Sequence, residues 1–143
     1  MLVKILRKRA QLLSLALVLS LLLTTATTAF AETKLVKAKD GGTVKLGDGC
    51  ELKIGKYALK EDIIMSAEKV VTTNYIDFSF GPDGTEFTTP ARLKVSMPFL
   101  KKVGWVDDFT LYGDNGEELQ PDVYANHLEY NIHHFSIYYF RRR

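Results

Sequence analysis

Tyr75-Ile76-Asp77-Phe78-Ser79-Phe80-Gly81-Pro82-Asp83-Gly84 reads as one half-buried strand running into a tight reversal. Side chains alternate along a strand, so Ile76, Phe78 and Phe80 share one face and Tyr75, Asp77 and Ser79 the other. Gly81 to Gly84 then turns the chain: Pro pre-sets one dihedral, and Gly accepts a positive φ at little steric cost. The same period of two recurs on both sides of this stretch. Upstream, Val44 and Leu46 alternate with Thr43 and Lys45. Gly47-Asp48-Gly49 then makes a hairpin signal, and Cys50, Leu52 and Ile54 follow in phase. Residues 57–62 carry the pattern of one helical turn, ahead of a strand from Ile63 to Val71.

Downstream, Leu93, Val95 and Met97 form a strand bracketed by Pro90 and Pro98, the places where a sheet tolerates proline. Phe109 and Leu111 alternate next, then the turn Gly113-Asp114-Asn115-Gly116, then Leu128, Tyr130 and Ile132. Residues 133–140 close the chain as a last strand. Phe135, Ile137 and Tyr139 are expected to face the core, and Ser136, Tyr138 and Phe140 to face out. Many short alternating strands with turn signals between them predict an all-β fold, an antiparallel β-sandwich.

The N-terminus has a different character. Lys4, Arg7, Lys8 and Arg9 precede an apolar run from Leu12 to Leu23, and Ala29-Phe30-Ala31 follows. A basic segment, an apolar segment and an Ala-x-Ala site, in that order, predict a signal peptide over residues 1–31. The apolar run is shorter than the roughly 20 residues that span a bilayer, so no membrane segment is expected after cleavage. The expected mature chain has 112 residues, enough for one domain with its own core. Residues 32–40 read as an N-terminal arm or an edge strand, 41–140 as the sandwich and 141–143 as a solvated basic tail.

Removing the leader also changes the charge. Four of the 19 basic residues lie in it and none of the 17 acidic ones, so the mature domain is slightly acidic. Nothing in that balance favours a nucleic-acid partner. The single cysteine, Cys50, sits in phase with Leu52 and Ile54 and reads as a buried apolar residue; no intrachain disulfide can form.

Three stretches together resemble the ZU5 domain. Gly41-Gly42-Thr43-Val44 is similar to its opening Gly-Gly-x-Val strand. Ala58-Leu59-x-Glu61-Asp62-x-Ile64 is similar to its Ala-Leu-x-x-Asp-x-x-Ile segment, although Gly55-Lys56-Tyr57 departs from the family's Pro-x-Gly before it. Phe80-Gly81-Pro82-Asp83-Gly84-Thr85-Glu86-Phe87-Thr88-Thr89-Pro90-Ala91-Arg92-Leu93 is similar to its Pro-x-Gly-x-x-Phe-x-x-Pro-Val-x-Leu stretch. The resemblance runs from residue 41 to about 140. It implies a β-sandwich used mainly for protein contacts, related copies of which occur in exported bacterial proteins. In some members it also implies self-cleavage between Phe and Ser of His-Phe-Ser, a tripeptide that stands here at His134-Phe135-Ser136.

Cleavage would need the Ser136 hydroxyl to attack the Phe135 carbonyl, with His134 as general base and His133 or His127 as substitutes. In a regular strand His134 and Ser136 share a face with Cα atoms roughly 6.6 Å apart, so their side chains meet only if the strand bends. A planar amide also resists attack, so the bond must be strained and an oxyanion donor present.

No metal or cofactor is expected. Asp107, Asp108 and Asp114 lack the ligand spacing of a calcium loop, and His127, His133 and His134 lack that of a zinc site. Tyr75, Tyr112, Tyr124, Tyr130, Tyr138, Tyr139 and Trp105 are candidates to line a protein or carbohydrate surface. The sequence thus predicts a secreted, non-enzymatic interaction module for an extracellular protein. A self-cleaving domain is the second reading, and a carbohydrate or envelope-polymer binder the third. An aromatic cluster on one sheet face would favour the third.

Overall fold

A computed structural model describes residues 27–142. Two antiparallel sheets pack face to face around one core. The strands are β1 (Thr28–Val36), β2 (Gly42–Lys45), β3 (Glu51–Ile54), β4 (Ile63–Val71), β5 (Tyr75–Gly81), β6 (Glu86–Ser96), β7 (Leu111–Gly113), β8 (Glu118–Leu119), β9 (Asp122–Val123), β10 (His127–His134) and β11 (Ile137–Arg141). One sheet has the order β1-β4-β5-β11-β7-β8 and the other β2-β3-β6-β10-β9. The all-β sandwich expected from the alternation is therefore the observed fold.

The core follows from that alternation. Ile76 and Phe78 are fully buried from β5, Leu93 and Val95 from β6, and Leu128, Tyr130 and Ile132 from β10. Cys50, at 2% exposure, lies among them. Among the described residues, Lys69 is the buried cation, at 2% exposure. Its Nζ reaches the Gly47 carbonyl and the Asp48 carboxylate, both at 2.9 Å, and lies 4.4 Å from the centre of the Phe99 ring. The lysine holds the Asp48 carboxyl below its usual range, so this buried charge is paired.

Four local expectations are corrected. Residues 57–62 form turns and bends, not a helical turn, with Tyr57 at a φ of 59°. The helix α1 instead spans Met97–Lys102, where Ser96 caps the first turn and Pro98 fits it. Pro90 does not end a strand; it lies inside β6, beside a register shift between Ile132 and His134 of β10. A bulge is where a strand interior can take a proline. The tail is not simply solvated: Arg141 belongs to β11, and the Arg142 guanidinium lies over Trp105 and donates to the Val103 and Gly104 carbonyls.

β1 is an edge strand that begins at Thr28, so Ala29-Phe30-Ala31 lies within it, opposite Val70, Lys69 and Glu68. Cleavage after Ala31 would leave Glu32–Val36 paired with Ala67–Ile63. The basic and apolar segments of the expected signal peptide, up to residue 26, lie outside the described residues, as does Arg143. Within them, no helix is long and apolar enough to cross a membrane.

The last strand also differs from its expected form. β10 belongs to the five-stranded sheet and β11 to the six-stranded one, so the chain changes sheets at Phe135-Ser136. Both of those consecutive residues are buried, which breaks the alternation. Beyond the break the parity is reversed. Tyr138 and Phe140 enter the core, while Ile137 is 44% exposed and Tyr139 faces outward.

Candidate functional site

His134-Phe135-Ser136 sits at the sheet change, between two turns. The first is Gly81–Thr85, closed by bonds from the Thr85 amide and hydroxyl to the Pro82 carbonyl. The second is Gly113–Glu117, closed by the Gly113 amide donating to the Glu117 carbonyl, the Gly116 amide donating to the Gly113 carbonyl and the Asn115 side chain accepting from the Glu117 amide. The 81–85 turn and the His-Phe-Ser tripeptide, far apart in sequence, are thus neighbours in the fold.

Phe135 is the anchor. It is fully buried, with its ring 5.0 Å from Phe87 edge-on and 5.7 Å from Phe80, centre to centre. Its amide donates to the Thr85 carbonyl at 2.7 Å, and its own carbonyl accepts from the Gly84 amide at 3.2 Å. The Ser136 carbonyl accepts from the Phe80 amide at 3.1 Å. The peptide unit between Phe135 and Ser136 is therefore gripped from the 81–85 side.

The side chains on the other side do not arrange as expected. The Ser136 hydroxyl donates to the Asp114 carboxylate, not to His134. The His134 ring nitrogen Nε2 lies 3.2 Å from the Glu117 carboxylate and 3.5 Å from the Asn115 amide. His134 contributes its backbone as well: its carbonyl accepts from the Tyr138 hydroxyl at 2.7 Å. Burial pushes that hydroxyl's pKa well above the usual tyrosine range, and the Glu117 and Asp114 carboxylates push it the same way. His133 is exposed, and His127 stacks on Tyr124 and reaches Glu129, away from the junction.

The sequence reading missed Asp114, Glu117 and Gly84. Asp114 and Gly84 lie in turns it identified and Glu117 directly follows one, but which turn faces Ser136 depends on the pairing of β11 with β7 and β5. Asp114 is exposed in its turn, yet it has partners there. It is tied to β11 twice, through Ser136 and through its amide on the Ile137 carbonyl at 3.0 Å. Among the described residues no group of His, Cys, Asp and Glu is placed to hold a metal ion.

The aromatic residues divide. Tyr130 and Tyr138 are fully buried and Trp105 nearly so, which removes them from any surface. Tyr75, Tyr112 and Tyr139 stand on the outer face of the six-stranded sheet, Tyr112 and Tyr139 stacked at 5.8 Å. The chain matches no family model, and no curated protein sequence matches it.

Proposed function

We propose that this chain is a secreted, ZU5-like β-sandwich that acts as a non-enzymatic interaction module for an extracellular protein. One observation carries this reading. Leu35 and Ile64 are cross-strand partners on the outer face of the six-stranded sheet, 55% and 67% exposed, where a solvated sandwich face ordinarily carries polar residues. Each lies next to a residue that is 1% exposed, Val36 or Met65, so the strands keep their register while offering apolar surface. The junction at Phe135-Ser136 supports the same reading. None of its residues has left-handed backbone, and His134 is engaged by Glu117 rather than Ser136.

The test places a photo-crosslinking residue at Thr33, on the same face of β1, in the secreted chain. The expected result is an adduct with one extracellular protein, lost in the Leu35→Glu/Ile64→Glu variant with little change in unfolding midpoint. Adducts that persist in that variant would show that the patch is not the contact.

Self-cleavage is the second reading, favoured by two contacts: the carboxylate on the Ser136 hydroxyl and the Gly84 amide on the Phe135 carbonyl. Asp114, not His134, would then take the proton as Ser136 Oγ attacks the Phe135 carbonyl carbon, and Gly84 would steady the developing oxyanion. The C–N bond breaks as the Ser136 nitrogen takes up a proton, leaving Phe135 as an ester on Oγ. Water then hydrolyses the ester to a Phe135 carboxylate and frees the Ser136 hydroxyl. β11 would stay hydrogen-bonded between β5 and β7, so a native gel would miss the cut. On this reading an intact mass in denaturant shows loss of residues 136–143, and Ser136→Ala or Asp114→Asn restores full length. One full-length mass after long incubation of the wild type removes the reading.

A further inference from the structure

Four residues on neighbouring strands form a square on the outer face of the six-stranded sheet. Tyr75 is paired across from Arg141, and Asp77 from Tyr139. Alternation puts all four on the same face. The two tyrosines therefore occupy one diagonal and the opposite charges the other. Asn74 joins them in lining a shallow cleft of about 570 Å³. Tyr112 stacks on Tyr139 at one side and fixes its ring.

Two polar groups of this cleft are not used by the fold, whereas Arg142 at its rim is held by the Val103 and Gly104 carbonyls. Among the described residues the Asp77 carboxylate has no hydrogen bond or ion pair, and neither does the Arg141 guanidinium. Asp77 is half-buried, and its carboxyl is pushed above the usual range by burial alone. A half-desolvated carboxylate without a partner costs stability, so a fold that keeps one in a cleft keeps it at a loss.

The arrangement discriminates among ligands by charge. A cationic chain would gain Asp77 but meet Arg141, and an anionic chain would gain Arg141 but meet Asp77; the Arg142 guanidinium is held over Trp105 by two carbonyls. A neutral, hydroxyl-bearing ligand meets no repulsion and can satisfy both. Its hydroxyl groups donate to the carboxylate and accept from the guanidinium, while a ring's C–H face lies on the tyrosine. We propose that this square is a binding subsite for one or two units of a neutral polysaccharide. It lies away from the Leu35–Ile64 pair and does not depend on the protein contact proposed there.

Affinity electrophoresis of the purified chain through gels containing soluble β-glucan, mannan or glycol chitin tests the proposal, with polyglutamate, polylysine and an unstructured neutral peptide as controls. One neutral polysaccharide is expected to retard the chain. Tyr139→Ala and Asp77→Asn should each weaken the retardation by about tenfold. Both side chains face outward, so unfolding midpoints should stay near the wild type's. The Leu35→Glu/Ile64→Glu variant should bind the polysaccharide as the wild type does. Retardation by a charged polymer or the peptide alone, no retardation by any neutral polysaccharide, or retention in the two cleft variants would each overturn the proposal.

Discussion

Gly41→Ala should destabilise the domain by about 2–5 kcal/mol, whereas Gly42→Ala should cost about 1 kcal/mol or less. The two glycines are adjacent, where the chain enters β2. Their surroundings differ. Gly41 has a φ of 64°, and its amide closes the turn after β1 on the Lys37 carbonyl at 2.9 Å. A side chain is strained at that φ. A Cβ there would also land on the Ile54 carbonyl oxygen and come within 2.8 Å of the Gly55 carbonyl carbon. Both obstacles are backbone at the end of β3, so relief requires moving the strand. A Cβ on Gly42 would meet only Val36 methyl groups, the nearer at 3.7 Å, which is ordinary contact. Urea unfolding of the two variants decides the point. Equal midpoints would mean that residue 41 does not approach β3 as described. For a domain of this size, about 1 kcal/mol shifts the melting temperature by about 4 °C, so the expected gap is easily resolved.

Much of this fold could be read from the chain because alternation and burial agree wherever polar residues mark the outer face. Asp77 and Ser79 leave no doubt that Ile76, Phe78 and Phe80 point inward, and the structure buries all three. The reading fails where that contrast is missing. From Ile137 to Phe140 every residue is apolar or aromatic, so either face can be the inner one. Parity then depends on where the chain leaves one sheet for the other, which is a tertiary fact. The helix Met97–Lys102 was marked by Ser96 and Pro98, but Met97 also continued the alternation of β6 and was read as strand. Arg142 looked like tail because nothing local shows that Trp105 and two carbonyls would receive it. At the junction, the tripeptide was legible and its partners were not. Asp114 reaches Ser136 only because β7 lies beside β11, and no local pattern encodes that pairing.

Phe135→Ala is expected to cost about 3–5 kcal/mol, while Ile137→Ala, two residues on, should cost less than about 1 kcal/mol. A continuous last strand would give these residues the same face and similar penalties. The observed sheet change separates them. Phe135 is fully buried between Phe80 and Phe87, at the point where both sheets and the 81–85 turn meet. Truncation would leave a cavity that backbone held by the Thr85 and Gly84 bonds cannot easily close. Ile137 is 44% exposed and already spends much of its surface in water, so its loss removes little burial. Tyr138→Phe separates a packing role from a polar one. It keeps the ring in the core but takes the hydroxyl from the His134 carbonyl, for about 1 kcal/mol. Chemical denaturation of the three variants, each carrying Ser136→Ala so that no chain can cut itself, gives the ranking. If Ile137→Ala proved as costly as Phe135→Ala, the chain would run straight through residue 136. The carboxylate of Asp114 and the amide of Gly84 would then no longer be set against the Phe135–Ser136 bond.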